Sequence, residues 1–397
     1  MNLLVFSTLF PNARQPHHGV FVENRLRHLQ AMSGYHAHIV APVPWFPSRH
    51  PKFGGYADYA GVPRFEQRHG LNIYHPRYVV VPKMGMLLTP YTLYLSARRV
   101  VRRLLNEEHR FDLLDAHYFY PDGVAASLLA QEFDLPFTIT GRGTDLNLIP
   151  KYKLPRRMIR KAAERADGLI TVCAALADDL AALGIDRDRV TVLRNGVDLI
   201  GFSRDEAGAS SLRTSLGIKG PVLASVGHLI ERKSHDLVIR ALAHMGRGSL
   251  LIAGKGPEEA ALRQLAKDLN VADHVHFLGL IPHAQLSAIY SAADVFVLAS
   301  SREGWPNVLL ESMACGTPVV ATAVNGSPEV VQSPVAGRIV PQRTGEALAA
   351  AIEDILKAPP SPAHVRGYAE GFSWEETSRG QMDLFTGILA KKGRTSA

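Results

Sequence analysis

Ser301-Arg302-Glu303-Gly304-Trp305-Pro306-Asn307-Val308-Leu309-Leu310-Glu311-Ser312-Met313-Ala314-Cys315-Gly316-Thr317-Pro318 is the stretch on which the reading of this chain turns. It follows the apolar, β-branched run Val295–Leu298, so it begins where a buried strand ends. Gly304 and Pro306 mark a turn, Asn307 is placed to cap a following helix, Gly316 ends that helix and Pro318 opens the next strand. A helix N-terminus at a strand's carboxyl end offers unpaired N–H groups and a positive dipole end, which suit phosphate or sugar oxygens. Glu303 sits in the turn and Glu311 about one turn into the helix. A carboxylate can accept from two vicinal hydroxyls, the arrangement a ribose or a pyranose presents.

Outward from this unit the same alternation fills the chain. Strands are expected at Leu3–Ser7, His38–Ala41, Leu113–Ala116, Phe137–Thr140, Gly168–Val172 and Val190–Leu193, with helices between them such as Val20–Met32 and Ala174–Leu183. The pattern restarts with strands Val222–Val226, Ser249–Ala253, His274–Phe277, Val295–Leu298 and Pro318–Ala321. The Gly- and Ser-containing segment Asn195–Gly220 separates the halves. Two doubly wound α/β domains in tandem follow: residues 1–195, and residues 196–374 including the interdomain linker. Such sheets bind ligands at the carboxyl ends of their strands, so a cleft between the two domains is expected.

Composition narrows the setting. The chain has 397 residues, 46% of them apolar and 20% charged, with no run long enough to span a membrane. The N-terminus reads as a first strand and not as a signal peptide. Two cysteines make no disulfide framework or metal spacing, and a reducing cytoplasm fits them. The net charge of +7 lies wholly before residue 199, which holds 25 basic and 18 acidic residues. That half should favour an anionic partner. No basic stripe with interleaved aromatics points to nucleic acid, which leaves an anionic membrane surface or a phosphorylated acceptor. The stretch Lys83–Arg103 reads either as an amphipathic membrane-resting segment or as a helix with one face on the core and its arginines in solvent.

The Glu303–Glu311 block resembles the signature of retaining glycosyltransferases of family 4 (group 1), which have the GT-B fold of two Rossmann-like domains facing a cleft. Both glutamates, Gly304, Met313, Ala314, Gly316, Pro318 and Val319 fall in place. The resemblance assigns the transferred sugar to Glu303 and the nucleotide ribose to Glu311, with Gly304, Trp305, Pro306, Asn307 and Val308 in the same donor-binding turn. In Gly227-His228-Leu229-Ile230-Glu231-Arg232-Lys233, Lys233 matches the family's phosphate-binding lysine, while His228 stands where an arginine is usual. Arg232 and His228 are therefore alternative second phosphate ligands. Gly254-Lys255-Gly256-Pro257 resembles the family's glycine turn beside the nucleotide, with Pro257 suited to a first helical position. Leu280 and Ile281 match the loop over which the base lies.

In the first half, Gly19 corresponds to a glycine loop that reaches the donor, and His117 to a histidine that faces the sugar. Arg142 or Asp145, in Thr140-Gly141-Arg142-Gly143-Thr144-Asp145, meets the acceptor or closes the cleft on the same resemblance. Ser373-Trp374-Glu375 resembles the point where a last helix, residues 375–397, crosses back to the first domain.

Together these imply a retaining, metal-independent enzyme in which His117, Glu303 and Lys233 carry catalysis. It moves a hexosyl group from a nucleotide sugar such as a UDP- or GDP-sugar, with no cofactor, to a glycan or lipid-linked acceptor. The setting implied is bacterial polysaccharide or cell-surface glycan synthesis, on the cytoplasmic side of the plasma membrane. A non-catalytic nucleotide-sugar scaffold and a related GT-B phosphorylase or epimerase are the rival readings. A dinucleotide fold is disfavoured, because no glycine fingerprint follows the first strand. The Asp186-Arg187-Asp188 triplet reads as a solvated loop and not as a metal site.

Overall fold

The structure, a computed structural model, describes residues 1–81, 85–107 and 109–393. The chain divides into two compact units: Met1–Arg194 joined by the chain from Trp374 onward, and Asn195–Ser373.

The first unit is built on an eight-stranded sheet in the order Val190–Val192, Gly168–Thr171, Phe137–Gly141, Leu113–His117, Asn2–Phe6, His36–Val40, Leu71–Tyr74, Phe65–Arg68. All neighbours pair parallel except the last two, which form a hairpin through His69 and Gly70, both at positive φ. That hairpin is absent from the reading of the sequence, because Phe65–Arg68 alternates exposed with half-buried residues on an edge and never forms an apolar run. Helix Val20–Ser33 buries Val22, Leu26 and Leu29 on one stripe against Leu3, Val5, Ile39 and Leu113 of the sheet. Helix Trp374–Lys391 adds Phe385 and Ile388 to the same core and stacks Trp374 on His28, with ring centroids 5.3 Å apart.

The second unit has six parallel strands in the order Val275–Gly279, Ser249–Ala253, Val222–Val226, Val295–Leu298, Val319–Thr322, Gly337–Val340. Its core joins Leu223, Ile252 and Val297 to Val238 and Leu242 of helix His235–Met245 and to Leu348 and Ile352 of helix Gly345–Lys357. The first five strands lie within a residue or two of the apolar runs read from the sequence. The sixth, Gly-Arg-Ile-Val, has too little apolar character to be noticed.

Each sheet reverses its winding direction once at a central pair of strands. In the first unit the reversal lies between Asn2–Phe6 and Leu113–His117, and in the second between Val222–Val226 and Val295–Leu298. Beyond the carboxyl ends of such a pair the connections leave in opposite directions and open a crevice.

The Lys83–Arg103 stretch forms helix Gly85–Asn106, with Lys83 itself outside the described residues. Leu93, Ala97, Val101 and Leu104 are buried on one face, while Arg98 and Arg102 each reach Glu132 at 2.6 Å. Met86, Tyr91 and Leu95 remain exposed. No described helix is long and apolar enough to cross a membrane.

Candidate active site

At the reversal of the second sheet two loops meet. Strand Val222–Val226 runs into Gly227 and then a single 3-10 turn, Glu231–Lys233, before helix His235–Met245. Strand Val295–Leu298 runs into the Glu303 turn and helix Asn307–Ala314. The backbone N–H of Ser301 donates to the Arg232 carbonyl at 2.8 Å, which pins the loops together. Lys233 Nζ thereby donates to Glu303 Oε1 at 2.6 Å, and Arg232 Nη1 lies 3.4 Å from Glu303 Oε2. Ser300 Oγ donates to Glu303 Oε1 at 2.7 Å, and the Glu303 N–H donates to Asn325 Oδ1 at 3.3 Å. Burial alone would raise the Glu303 pKa. The Lys233 charge, then that of Arg232, and hydrogen bonds from Lys233 and Ser300 outweigh it and hold the carboxylate below its ordinary range.

Glu311 is braced separately. Tyr290 donates its hydroxyl to Glu311 Oε2 at 2.8 Å, and His283 Nε2 lies 3.3 Å from Oε1. The hydrogen bond to Glu311 raises the His283 pKa above 6.5 against the effect of burial, and the Glu311 charge adds to it. Histidine NMR titration should therefore place His283 above the ordinary 6.5, and Glu311→Gln should bring it down. An unshifted His283 in that variant would show the pairing to be absent in solution.

The glycine turn packs under the same edge. Gly254 has φ 149°, and a Cβ there would lie 1.9 Å from the Gly227 carbonyl oxygen. Only a residue without a side chain lets these two backbones cross. The Leu229 N–H donates to the Lys255 carbonyl at 3.0 Å and closes the Gly256 turn against the Lys233 loop. Leu280, 60% exposed, follows strand Val275–Gly279 on the same edge with half-buried Ile281 beside it.

Three expectations need correction here. Asn307 does not cap its helix: it is the first helical residue, Pro306 holds the cap position, and Asn307 Oδ1 instead accepts from Asn195 Nδ2 at 3.3 Å. Pro257 is not a first helical residue, since that helix starts at Glu259. Trp305 turns inward at 7% exposure and donates Nε1–H to the Asn195 carbonyl, so its indole fastens the loop within this unit.

At the reversal of the first sheet Gly19 has φ 72°, and a Cβ there would fall 2.3 Å from the Leu9 carbonyl group. The helix Val20–Ser33 can thus start directly against the end of the first strand. His117 ends strand Leu113–His117 with no exposed surface. Its Nδ1 accepts from Arg142 Nη2 at 2.6 Å, and its Nε2 lies 3.3 Å from Asp115 Oδ2. An arginine can only donate, so this contact assigns the ring proton to Nε2. Burial drives the His117 pKa down to about 4 and keeps the ring neutral. Asp145 collects backbone N–H groups from Phe119 (2.7 Å), Gly143 (2.7 Å) and Arg142 (3.1 Å). His117, Arg142 and Asp145 thus come together at the end of this strand, the first two through the side-chain hydrogen bond and Asp145 through the backbone N–H groups it accepts.

A model described as "Glycosyl transferases group 1" matches residues 211–372, and one described as "Glycosyltransferase Family 4" matches residues 18–200. A D-inositol 3-phosphate glycosyltransferase of Frankia alni is 32% identical over 312 residues, covering 72% of this chain and 76% of that one. The chain belongs to the group 1, family 4 glycosyltransferases. A putative teichuronic acid biosynthesis glycosyltransferase, TuaC of Bacillus subtilis, is 28% identical over 333 residues, with 82% of each chain covered. The sucrose-phosphate synthase structure from Thermosynechococcus elongatus superposes with a TM-score of 0.81 at 21% identity, covering 98% of this chain and all of that one. HepE of Anabaena in complex with UDP-glucose gives a TM-score of 0.72 at 19% identity, with both chains covered in full. The fold is GT-B.

Several polar partners in this glycosyltransferase escaped the sequence reading: Ser300, Tyr290, His283 and Asn325 around the glutamates, and Asp115 beside His117. So did the pair Thr8 and Asp122, where Thr8 donates to the buried Asp122 carboxyl through N (2.8 Å) and Oγ1 (2.9 Å). Burial raises the Asp122 pKa to about 8 in spite of those bonds. Asp115 and Asp122 lie within five residues of His117, and Asn325 opens the turn Asn325-Gly326-Ser327-Pro328-Glu329, but no local spacing ties any of them to these partners. Ser300 stands three residues before Glu303 in the same loop, whereas Tyr290, His283 and Thr8 arrive from separate elements.

Proposed function

We propose that the chain is a retaining glycosyltransferase whose second unit binds a nucleotide-sugar donor and whose basic first unit binds a glycan acceptor. The observation that carries this reading is the Lys233–Glu303–Arg232 cluster at the reversal point of the second sheet. A diphosphate needs cations and a sugar needs a fixed acceptor of hydroxyl protons, and here two cations stand within 3.4 Å of a carboxylate that supplies the acceptor. Lys233 and Arg232 neutralise the departing diphosphate, with Arg232 serving in place of the exposed His228. Glu303 orients the sugar hydroxyls, Glu311 the ribose, and Leu280 and Ile281 lie under the base. The donor's own phosphate oxygen takes the acceptor proton, so no protein nucleophile and no metal are required. His117, Asp145 and Arg142 act by holding the edge of the first sheet in place. Gly19 leaves room for backbone there.

The relatives act on inositol 3-phosphate or in teichuronic acid synthesis by their names, and HepE was crystallised with UDP-glucose. These favour a UDP-sugar and an acceptor bearing acid groups, in bacterial cell-surface glycan synthesis. The test is nucleotide release from a panel of UDP-, GDP- and ADP-sugars. Slow hydrolysis of one donor, with the released sugar an α-anomer when an α-linked donor is used, is the expected outcome. Dependence on inorganic phosphate would replace the reading with a phosphorylase, and binding without any turnover would replace it with a scaffold.

A further inference from the structure

A cavity in the first unit takes no part in the site described above. Its volume is about 460 Å³, and Trp45, Phe46, Arg49, Arg64 and Arg77 line it. Small-ligand pockets have volumes of roughly 300–1,000 Å³. It lies beyond the short parallel strands Val43–Pro44 and Arg77–Tyr78. These prolong two neighbours in the main sheet, His36–Val40 and Leu71–Tyr74, through hydrogen bonds such as Val43 N–H to the Pro76 carbonyl (3.0 Å) and Trp45 N–H to the Tyr78 carbonyl (2.7 Å). The cavity is therefore off the carboxyl edge of the sheet, the side on which His117 ends its own strand. His36–Val40 and Leu71–Tyr74 stand two and three places from Leu113–His117. At about 4.8 Å per strand that is a lateral offset of roughly 10–14 Å, and the four residues from Ala41 to Trp45 add up to about 13 Å along the strands, a span of several sugar residues on a glycan.

The cavity is strongly cationic. Arg49 donates Nε–H to the Ala60 carbonyl at 3.2 Å, and Arg77 donates Nη1–H to the His75 carbonyl at 3.3 Å and Nη2–H to Val62. Among the described residues no carboxylate pairs with Arg49, Arg64 or Arg77. The carboxylate nearest to Arg64 in sequence, Glu66, is occupied by His75 at 2.8 Å and by the Ala13 N–H at 3.2 Å. Burial lowers the Arg77 pKa, and the charges of Arg64 and then Arg49 lower it further. Three guanidinium groups thus share a positive field with no directly paired carboxylate among the described residues, and each keeps N–H donors for a planar or tetrahedral anion. Beside them Trp45 is 54% exposed, a flat apolar surface of the kind on which a sugar ring stacks.

We propose that this cavity is a subsite for an anionic sugar, a phosphate- or carboxylate-bearing residue of the acceptor, with Arg49, Arg64 and Arg77 on the charged group and Trp45 against the ring. It rests on the reading of the first unit as the acceptor side. Trp45 reports on it directly, because Trp305 and Trp374 are 7% and 6% exposed. The full chain is titrated with glucose 6-phosphate, glucuronic acid and neutral glucose while tryptophan emission is followed. At least one of the anionic sugars should give a saturable change at concentrations about tenfold or more below those needed for glucose. Arg49→Ala and Arg64→Ala alter exposed side chains, keep the fold, and should each weaken that binding by about tenfold or more. Trp45→Phe should remove the optical signal while calorimetry still detects binding. Equal binding of glucose, or unchanged affinity in the Arg49→Ala/Arg64→Ala double variant, overturns the proposal. So does uptake onto phosphatidylglycerol vesicles through these arginines with no binding of either soluble sugar. The two readings fail separately. Anionic-sugar binding without any turnover of nucleotide sugars removes the transferase and leaves the subsite, and turnover without such binding does the reverse.

Discussion

Glu303→Gln is expected to lower glycosyl transfer by about 10²–10³-fold while the second unit stays folded. The amide keeps the size of the side chain and can still receive a hydrogen bond from Ser300. It loses the charge that fixes Lys233 at 2.6 Å and Arg232 at 3.4 Å. Lys233 is 14% exposed and can turn toward water, so the cost in stability should be only about 1–3 kcal/mol. The pH dependence gives an independent check. A carboxylate held below its unfolded pKa of 4.5 contributes stability above that pH and loses it as the pH falls through the folded value. The stability gap between wild type and variant should accordingly close under acid conditions below pH 4.5. Steady-state transfer with a saturating donor, together with urea midpoints at pH 7 and in acid, measures both effects. Transfer at the wild-type rate by a folded Glu303→Gln would remove Glu303 from the mechanism.

Asp115→Ala should be the most damaging single change to the first unit, destabilising it by about 3–5 kcal/mol. Asp115 is wholly buried and accepts from Thr138 Oγ1 (2.7 Å) and Gln381 Nε2 (3.0 Å), with His117 Nε2 at 3.3 Å. Gln381 Oε1 in turn accepts from Arg25 Nε at 2.8 Å, and Arg25 Nη1 donates to the Leu193 carbonyl at 3.1 Å. Burial would raise the Asp115 pKa, but the interaction with His117, the Thr138 hydroxyl and the Arg25 charge outweigh it. Arg25 is itself fully buried, and burial lowers its pKa to about 10 even with Asp115 to support its charge. Removing the carboxylate leaves that guanidinium and Arg142 with less counter-charge in a site closed to water. Asp115→Asn, which keeps the shape and one acceptor, should cost less than Asp115→Ala. Urea unfolding followed by far-UV circular dichroism reads the difference. A shift below about 1 kcal/mol for Asp115→Ala would mean that the network contributes little.

The same network links the end of the chain to the candidate site. Gln381 belongs to helix Trp374–Lys391 and lies 266 positions from Asp115, yet it holds the carboxylate that faces His117. Nothing in the local sequence of either residue announces the other. Gln381 reads as one polar residue on an amphipathic helix, and Asp115 as part of a polar strand end.

What the amino-acid sequence determined by itself was whatever repeats with a short period or sits in one loop. Runs such as Val222–Val226 and Val295–Leu298 are apolar on both faces, which only a parallel sheet covered on both sides can bury. Glu303 and Glu311 stand eight apart across a strand-to-helix turn, so their shared loop was legible before any coordinates. The tertiary structure decided which groups meet those loops. The strand order sets Lys233 against Glu303 by pairing Val222–Val226 with Val295–Leu298. It also gathers Arg49, Arg64 and Arg77 from three separate segments around one cavity. It set Arg142 and Asp115 against the buried His117 ring as well, because which groups a strand's last side chain meets depends on register, and motif spacing carries no register information. Local covalent order governs periodicity and turn chemistry. Burial, ion pairing and the direction of a side chain depend on groups brought in from far along the chain.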